Sequence, residues 1–252
     1  MNAADPQPLK LTVDDATAVS ALLLRPAAAR ACYVFAHGAG AGMTHAFMEQ
    51  AARGLCERGI ATLRYQFPYM ERGSKRPDAP ALAQATVRVA VREAAQSCPG
   101  LALFAGGKSF GGRMTSQAQA ATPLAGVRGL AFFGFPLHPA DKPSDARAKH
   151  LADIHVPMLF IQGTRDKLAE LPLLEPVVKR LGPSATLHRV ADADHSFHVL
   201  ARSGRNDGEV MREILDALSD WIGATAGEGC AAPGCLGARG EPIGGSMKSG
   251  TR

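Results

Sequence analysis

Three residue types in one order along this chain could carry out nucleophilic acyl transfer. Ser109 lies in Gly107-Lys108-Ser109-Phe110-Gly111, a G-x-S-x-G pentapeptide. Asp166 follows in Gly163-Thr164-Arg165-Asp166, and His195 in Asp192-Ala193-Asp194-His195-Ser196-Phe197. A serine hydroxyl is a weak nucleophile until a base takes its proton, and the base needs a carboxylate to fix its tautomer and stabilise its charged form. Ser, then Asp, then His is one of the chain orders in which this set occurs. Asp166 is therefore the expected acid and His195 the expected base.

Alternatives lie close by. His198 is a second candidate base, but it stands further from the loop apex. Asp192 and Asp194 flank His195 and fit loop-shaping turns. His37 fits a structural hydrogen-bonding role. The pentapeptide does not have the G-x-x-x-x-G-K-[ST] spacing of a phosphate loop.

An acyl transfer also needs donors for the oxyanion. The N–H of Phe110, at the start of a helix, is the first candidate. The second is the N–H of Ala39, in His37-Gly38-Ala39-Gly40-Ala41-Gly42, with Gly40 as its nearest competitor. Small residues there let backbone approach a substrate. A dinucleotide fingerprint fails on the same segment, since Met43 stands where the third glycine belongs. Gly40, Lys108 and Phe67 are the expected substrate contacts. Lys108, Arg113, Arg64 and Arg165 border the same edge; each alone fits a surface or structural ion pair, and together they allow an acidic substrate. Phe110, Phe67, Tyr69 and Phe197 could form an apolar wall, and core packing explains each equally well.

These residues must be held by a scaffold. Leu9 to Val13 and Val19 to Leu24 predict two strands around an Asp14-Asp15 turn. Ala31 to Ala36 (ACYVFA) is apolar at successive positions, as in a strand buried on both faces of a parallel sheet. Further strands are expected at Ile60 to Phe67, Leu101 to Gly107, Gly129 to Phe133, Pro157 to Gln162 and Ala185 to Val190. Helical spacing falls at His45 to Arg58, Ala81 to Ser97, Phe110 to Ala121, Glu170 to Leu181 and Asp207 to Ile222. The alternation implies an α/β fold: a mostly parallel central sheet with helices on both faces and an antiparallel edge. Ser109, Asp166 and His195 then all lie at the carboxyl ends of strands, where open sheets bind ligands. Pro136 to Val156 is too short and polar for a large lid, so an open site is expected.

The blocks FAHGAGAG, RYQFPY, GGKSFGGRM, GFPLHP, LFIQGTRD and DADHSF, in that order, resemble the small α/β-hydrolases grouped with dienelactone hydrolases. More narrowly they resemble a predicted-hydrolase branch whose animal relatives include a subunit of a chromatin acetyltransferase complex. The resemblance spans roughly Leu22 to Ile222 and implies the same set, Ser109, Asp166 and His195. Dienelactone hydrolases proper use a cysteine nucleophile where Ser109 stands. The function expected is a serine hydrolase of small soluble esters. The alternative is a non-catalytic binding or scaffold protein on the same fold.

The chain has 252 residues, 46% of them hydrophobic, enough for one large core. The formal net charge of +5 is spread along the chain rather than clustered, which argues against nucleic acid as partner. Five cysteines at irregular spacing argue against a disulfide framework, and Cys230 with Cys235 lacks the further ligands of a zinc site. No metal or cofactor is expected. The N-terminus lacks the features of a signal peptide, and no apolar run reaches membrane-span length. A cytoplasmic protein acting on a small molecule is expected, with no membrane partner and an oligomeric state that the sequence leaves open. One hydrolase domain is expected over 1–223. The Gly- and Pro-rich segment 224–252 has little to bury, so a disordered tail is expected there.

Overall fold

The computed structural model describes residues 5–228. The chain enters as a hairpin, β1 (Gln7–Asp14) and β2 (Thr17–Leu24), then forms β3 (Ala31–Ala36), helix α1 (Ala46–Glu57) and β4 (Ile60–Tyr65). A short α2 (Pro68–Glu71) and the long α3 (Pro80–Ser97) lead to β5 (Ala102–Lys108), α4 (Phe110–Ala121) and β6 (Val127–Phe133). A 3₁₀ helix (Ala146–Asp153) precedes β7 (Met158–Gly163), α5 (Leu171–Leu181), β8 (Ala185–Val190) and α6 (Asp207–Glu228).

The strands form one eight-stranded sheet in the order β1-β2-β4-β3-β5-β6-β7-β8. β1 and β2 pair antiparallel, as do β2 and β4; every other pair is parallel. The expected antiparallel edge is thus the hairpin itself, which needs no crossover. Among the described residues, no large insertion interrupts the fold.

Both faces of the sheet are covered, which explains the unbroken apolar runs. Every residue of β3, β4 and β7 is buried. Along β3, Cys32, Val34 and Ala36 face the core under α3, α4 and α5, whereas Ala31, Tyr33 and Phe35 face the core under α1 and α6. Period-two alternation therefore divides one apolar strand between two cores. No helix among the described residues is long and apolar enough to cross a membrane.

Some boundaries differ from expectation. β4 ends at Tyr65 because Phe67 caps α2, whose first residue, Pro68, has its φ already set for a helix. The polar stretch before β7 carries the 3₁₀ helix, which buries Ala148 and Leu151. α6 runs past Ile222 to Glu228, so helix occupies the first residues of the segment expected to be a tail. The remainder of that segment, with Cys230 and Cys235, lies outside the described residues.

The turn from β5 into α4 passes against neighbouring backbone. A Cβ on Gly111 would stand 2.5 Å from the His37 carbonyl oxygen and 2.6 Å from that of Ala36. Backbone cannot yield as a flexible side chain can. Gly111→Ala should therefore destabilise the fold by about 1–3 kcal/mol, as overpacking does in a dense core. Urea melts of the two proteins test this; an unchanged midpoint would contradict it.

Candidate active site

The loops after β3, β5, β7 and β8 meet at one end of the sheet, since these strands run parallel and end together. Ser109 occupies the junction of β5 and α4 with φ 50° and ψ −113°. For a residue with a side chain this backbone is strained, typically by about 1–3 kcal/mol. Its N–H is tied to the Phe133 carbonyl at 3.0 Å, and its own carbonyl accepts the N–H of Arg113 at 3.1 Å. Ser109 stands at the N-cap of α4, where serine commonly caps with its hydroxyl. Here the hydroxyl makes no capping bond. It lies 2.8 Å from Nε2 of His195 instead. The first-turn N–H groups of α4, Phe110 among them, stay free of that cap and carry the positive end of the helix dipole.

On its other side, His195 Nδ1 lies 2.7 Å from Oδ2 of Asp166. Asp166 is 2% exposed, and a carboxylate so buried needs donors. It has three: His195 Nδ1, the N–H of Leu168 at 2.8 Å, and Nε2 of Gln162. Gln162 is itself oriented by the Phe135 N–H, which donates to its Oε1 at 3.0 Å. Sequence reasoning missed Gln162. The available signal was a polar residue near the end of a wholly apolar strand, at a position that must be buried.

Ser109, His195 and Asp166 are thus joined in one chain of hydrogen bonds. His198 is not part of it: it is exposed and pairs with Asp207 at 2.9 Å. Asp194 shapes the loop, its Oδ1 accepting from the N–H groups of Ser196 and His198 at 2.8 and 3.0 Å. Asp192 stands at φ 59° with its N–H on Thr164 Oγ1.

The loop after β3 runs beside Ser109: a Cβ on Gly38 would come 3.8 Å from the Ser109 Cβ. Ala39 and Gly40 are exposed. The Gly40 N–H donates to the Tyr69 hydroxyl at 3.3 Å. Among the described residues, no acceptor takes the N–H of Gly38 or Ala39. His37 holds this loop from below. The Phe67 N–H donates to its Nε2 at 3.0 Å, so Nδ1 carries the proton and donates to the Gly38 carbonyl at 2.8 Å.

Two residues expected at the substrate surface are placed elsewhere. Phe67 is fully buried, packed edge-on against His37 and Phe110 with ring centroids 4.9 and 5.3 Å apart. It supports the loop from within and leaves no surface for a ligand. Lys108 turns inward: its ammonium donates to the His195 carbonyl and lies 5.1 Å from the Phe197 ring centroid. Burial pushes its pKa down to about 8, against the attraction of Asp166 and Asp194. Of the other cations, Arg64 is buried and donates to the Met43 carbonyl, and Arg165 reaches the Asp192 carbonyl.

Residues 29–223 match the family model described as an alpha/beta hydrolase domain. Among solved structures, the chain is similar to a dienelactone hydrolase from Anabaena variabilis, with 20% identity and a TM-score of 0.72 over 88% of this chain and 99% of that one. It is also similar to an α/β serine hydrolase without lid from Xanthomonas campestris, with 20% identity and a TM-score of 0.64 over 91% and 97%. A third similar structure is Est1E from Butyrivibrio proteoclasticus, at 13% identity and a TM-score of 0.66 over 87% and 99%. At these identities the likeness concerns the fold.

The buried His37 makes stability depend on pH. Burial holds its pKa down to about 4, from 6.5. The unfolded chain therefore binds a proton that the folded chain refuses between these values. Stability from this source is whole above pH 6.5 and is lost as the pH falls toward 4, by on the order of 3 kcal/mol. In urea melts at the two ends of this window, His37→Asn should be less stable than wild type near neutrality and should lose less stability on acidification. Equal losses in both proteins would show that His37 does not carry the effect.

Proposed function

The chain belongs to the alpha/beta hydrolase domain family, and we propose that it acts as a serine hydrolase that cleaves small carboxylic esters through an acyl-serine intermediate. The observation that carries this reading is the hydrogen-bonded chain Ser109–His195–Asp166, at 2.8 and 2.7 Å, set beside free helix N–H groups.

In the proposed reaction, Ser109 Oγ attacks the ester carbonyl while His195 Nε2 takes its proton. Asp166 accepts from Nδ1–H of His195, which leaves the Nε2 lone pair facing Ser109. The same carboxylate stabilises the imidazolium once it forms. The carbonyl oxygen becomes an oxyanion and receives the N–H of Phe110 and that of Ala39. Gly40 is the weaker candidate, because its N–H is occupied by Tyr69. The imidazolium then protonates the departing alcohol, leaving the acyl group on Ser109. Water, deprotonated by the same histidine, attacks the acyl-serine and releases the acid and the free hydroxyl. No step calls for a metal or an organic cofactor. His195 is one-quarter exposed, and among the described residues no large insertion covers the strand ends, which suits small, freely diffusing esters.

A fluorophosphonate should label wild-type protein at Ser109, and Ser109→Ala should remove the label. On short p-nitrophenyl esters, Ser109→Ala or His195→Ala should lower kcat by on the order of 10^4 to 10^6 without changing the melting temperature by more than a few degrees. Asp166→Asn should also reduce kcat strongly, by a smaller factor. Absence of both labelling and turnover in the folded wild type would favour the binding or scaffold alternative.

A further inference from the structure

Of the four cations expected along the site's edge, three are committed to the protein's own carbonyls: Arg64 to Met43, Arg165 to Asp192 and Lys108 to His195. Arg113 is not. Its Nε is buried without a hydrogen-bond partner, and among the described residues no carboxylate forms an ion pair with it. Arg113 sits one helical turn after Ser109 on α4. Side chains on a helix lean toward its N-terminus, and the Arg113 guanidinium accordingly lies over the Phe110 ring, 5.7 Å from the centroid. The charge is thus carried back toward the candidate oxyanion donor.

A second guanidinium joins it. The 3₁₀ helix packs on α4, and His150 Nε2 meets Ser116 Oγ at 2.8 Å. In a 3₁₀ helix, side chains three apart eclipse, so Arg147 stands in line with His150. On α4, Arg113 and Ser116 are likewise three apart and share a face. The Ser116–His150 bond brings the two faces together, and Arg147 lies close enough to Arg113 for its charge to act on it. Arg147 is half-buried and also lacks an ion pair among the described residues.

We infer that Arg113 and Arg147 form an anion subsite next to Ser109, which takes a carboxylate or phosphate carried by the ester substrate a few bonds from its scissile carbonyl. The inference rests on the serine-hydrolase reading and narrows its substrate class to acidic esters. Electrostatics point the same way. Burial and then the neighbouring Arg147 lower the pKa of Arg113, and burial lowers that of Arg147. Two like charges held together in partial burial repel unless an anion sits between them. A bidentate guanidinium is well matched to such oxyanions.

The test compares esters matched in length. Wild type should favour p-nitrophenyl hemiadipate over p-nitrophenyl hexanoate, or para-acetoxybenzoate over p-tolyl acetate, according to which side of the ester carries the acid. The preference in kcat/KM should be at least about tenfold, in line with charge-assisted hydrogen bonds. Arg147→Gln should remove most of that preference, chiefly through KM, and Arg147→Lys should keep part of it. Arg113→Gln should act like Arg147→Gln; should it fail to fold, the Arg147 pair decides alone. No preference in either ester pair, or a preference that survives Arg147→Gln, overturns the subsite while leaving the hydrolase reading intact. No turnover of any ester, with no fluorophosphonate label on Ser109, overturns both.

Discussion

The backbone of Ser109 is held where a serine does not ordinarily rest, and the surrounding structure is arranged around keeping it there. At φ 50° and ψ −113° Ser109 is the single residue between β5 and α4, and its hydroxyl is left to meet His195. The opposing force is local and tight. The Ser109 N–H is fixed to β6 through Phe133, and the carbonyls of Ala36 and His37 press on the helix start so closely that only Gly111 fits. Gly107 is confined in the same way, its missing Cβ falling 2.4 Å from the Ala36 carbonyl oxygen. Sheet order explains why β3 supplies these contacts: it lies directly beside β5. A strained turn between central strands is stable because the packed sheet on both sides over-determines it.

From that turn the polar chain runs laterally across the strand ends, from Ser109 to His195, Asp166, Gln162 and the Phe135 backbone. Each member orients the next, and the inner members are buried. Removing water strengthens every bond in such a network and also penalises any partner left unsatisfied. Gln162 and the Leu168 N–H are therefore as necessary to Asp166 as His195 is, because they balance a carboxylate that solvent does not reach.

Much of this was legible in the sequence because it follows from period and chain order. Apolar runs located the parallel strands, the G-x-S-x-G setting located the turn, and strand ends located Asp166 and His195. What stayed hidden depends on side-chain reach in three dimensions. Phe67 was expected at a surface because aromatic residues near a site can line it; burial beneath Phe110 is a property of packing that spacing does not encode. The four-residue α2 is too short for any period. The end of α6 was set at the last large apolar residue, yet the helix continues to where the small Ala226 packs against the core under α1 and α6 and its carbonyl accepts from Arg128.

Lys108 carries this contrast furthest. A lysine beside a candidate nucleophile suggests an electrostatic contact with substrate, since a lysine ordinarily keeps its ammonium in water. Here the side chain follows the inward face of the β5 end and donates to the carbonyl of His195. Phe47 and Phe197 flank the ammonium at 5.8 and 5.1 Å from their ring centroids, and Asp166 and Asp194 attract it. The residue preceding Ser109 therefore anchors the backbone of the residue that Ser109 must meet. His195 is fixed at two points, its ring by Asp166 through Nδ1 and its backbone carbonyl by Lys108. A ring held this way can keep Nε2 within 2.8 Å of a hydroxyl whose backbone is equally fixed. The loop after β8 has no regular secondary structure of its own until α6 begins, apart from a short 3₁₀ turn at Ala201–Ser203. Its order at His195 comes from Asp194 within the loop, from backbone bonds such as Arg165 N–H to the Ala193 carbonyl, and from Lys108, which ties it to the strand that precedes the candidate nucleophile.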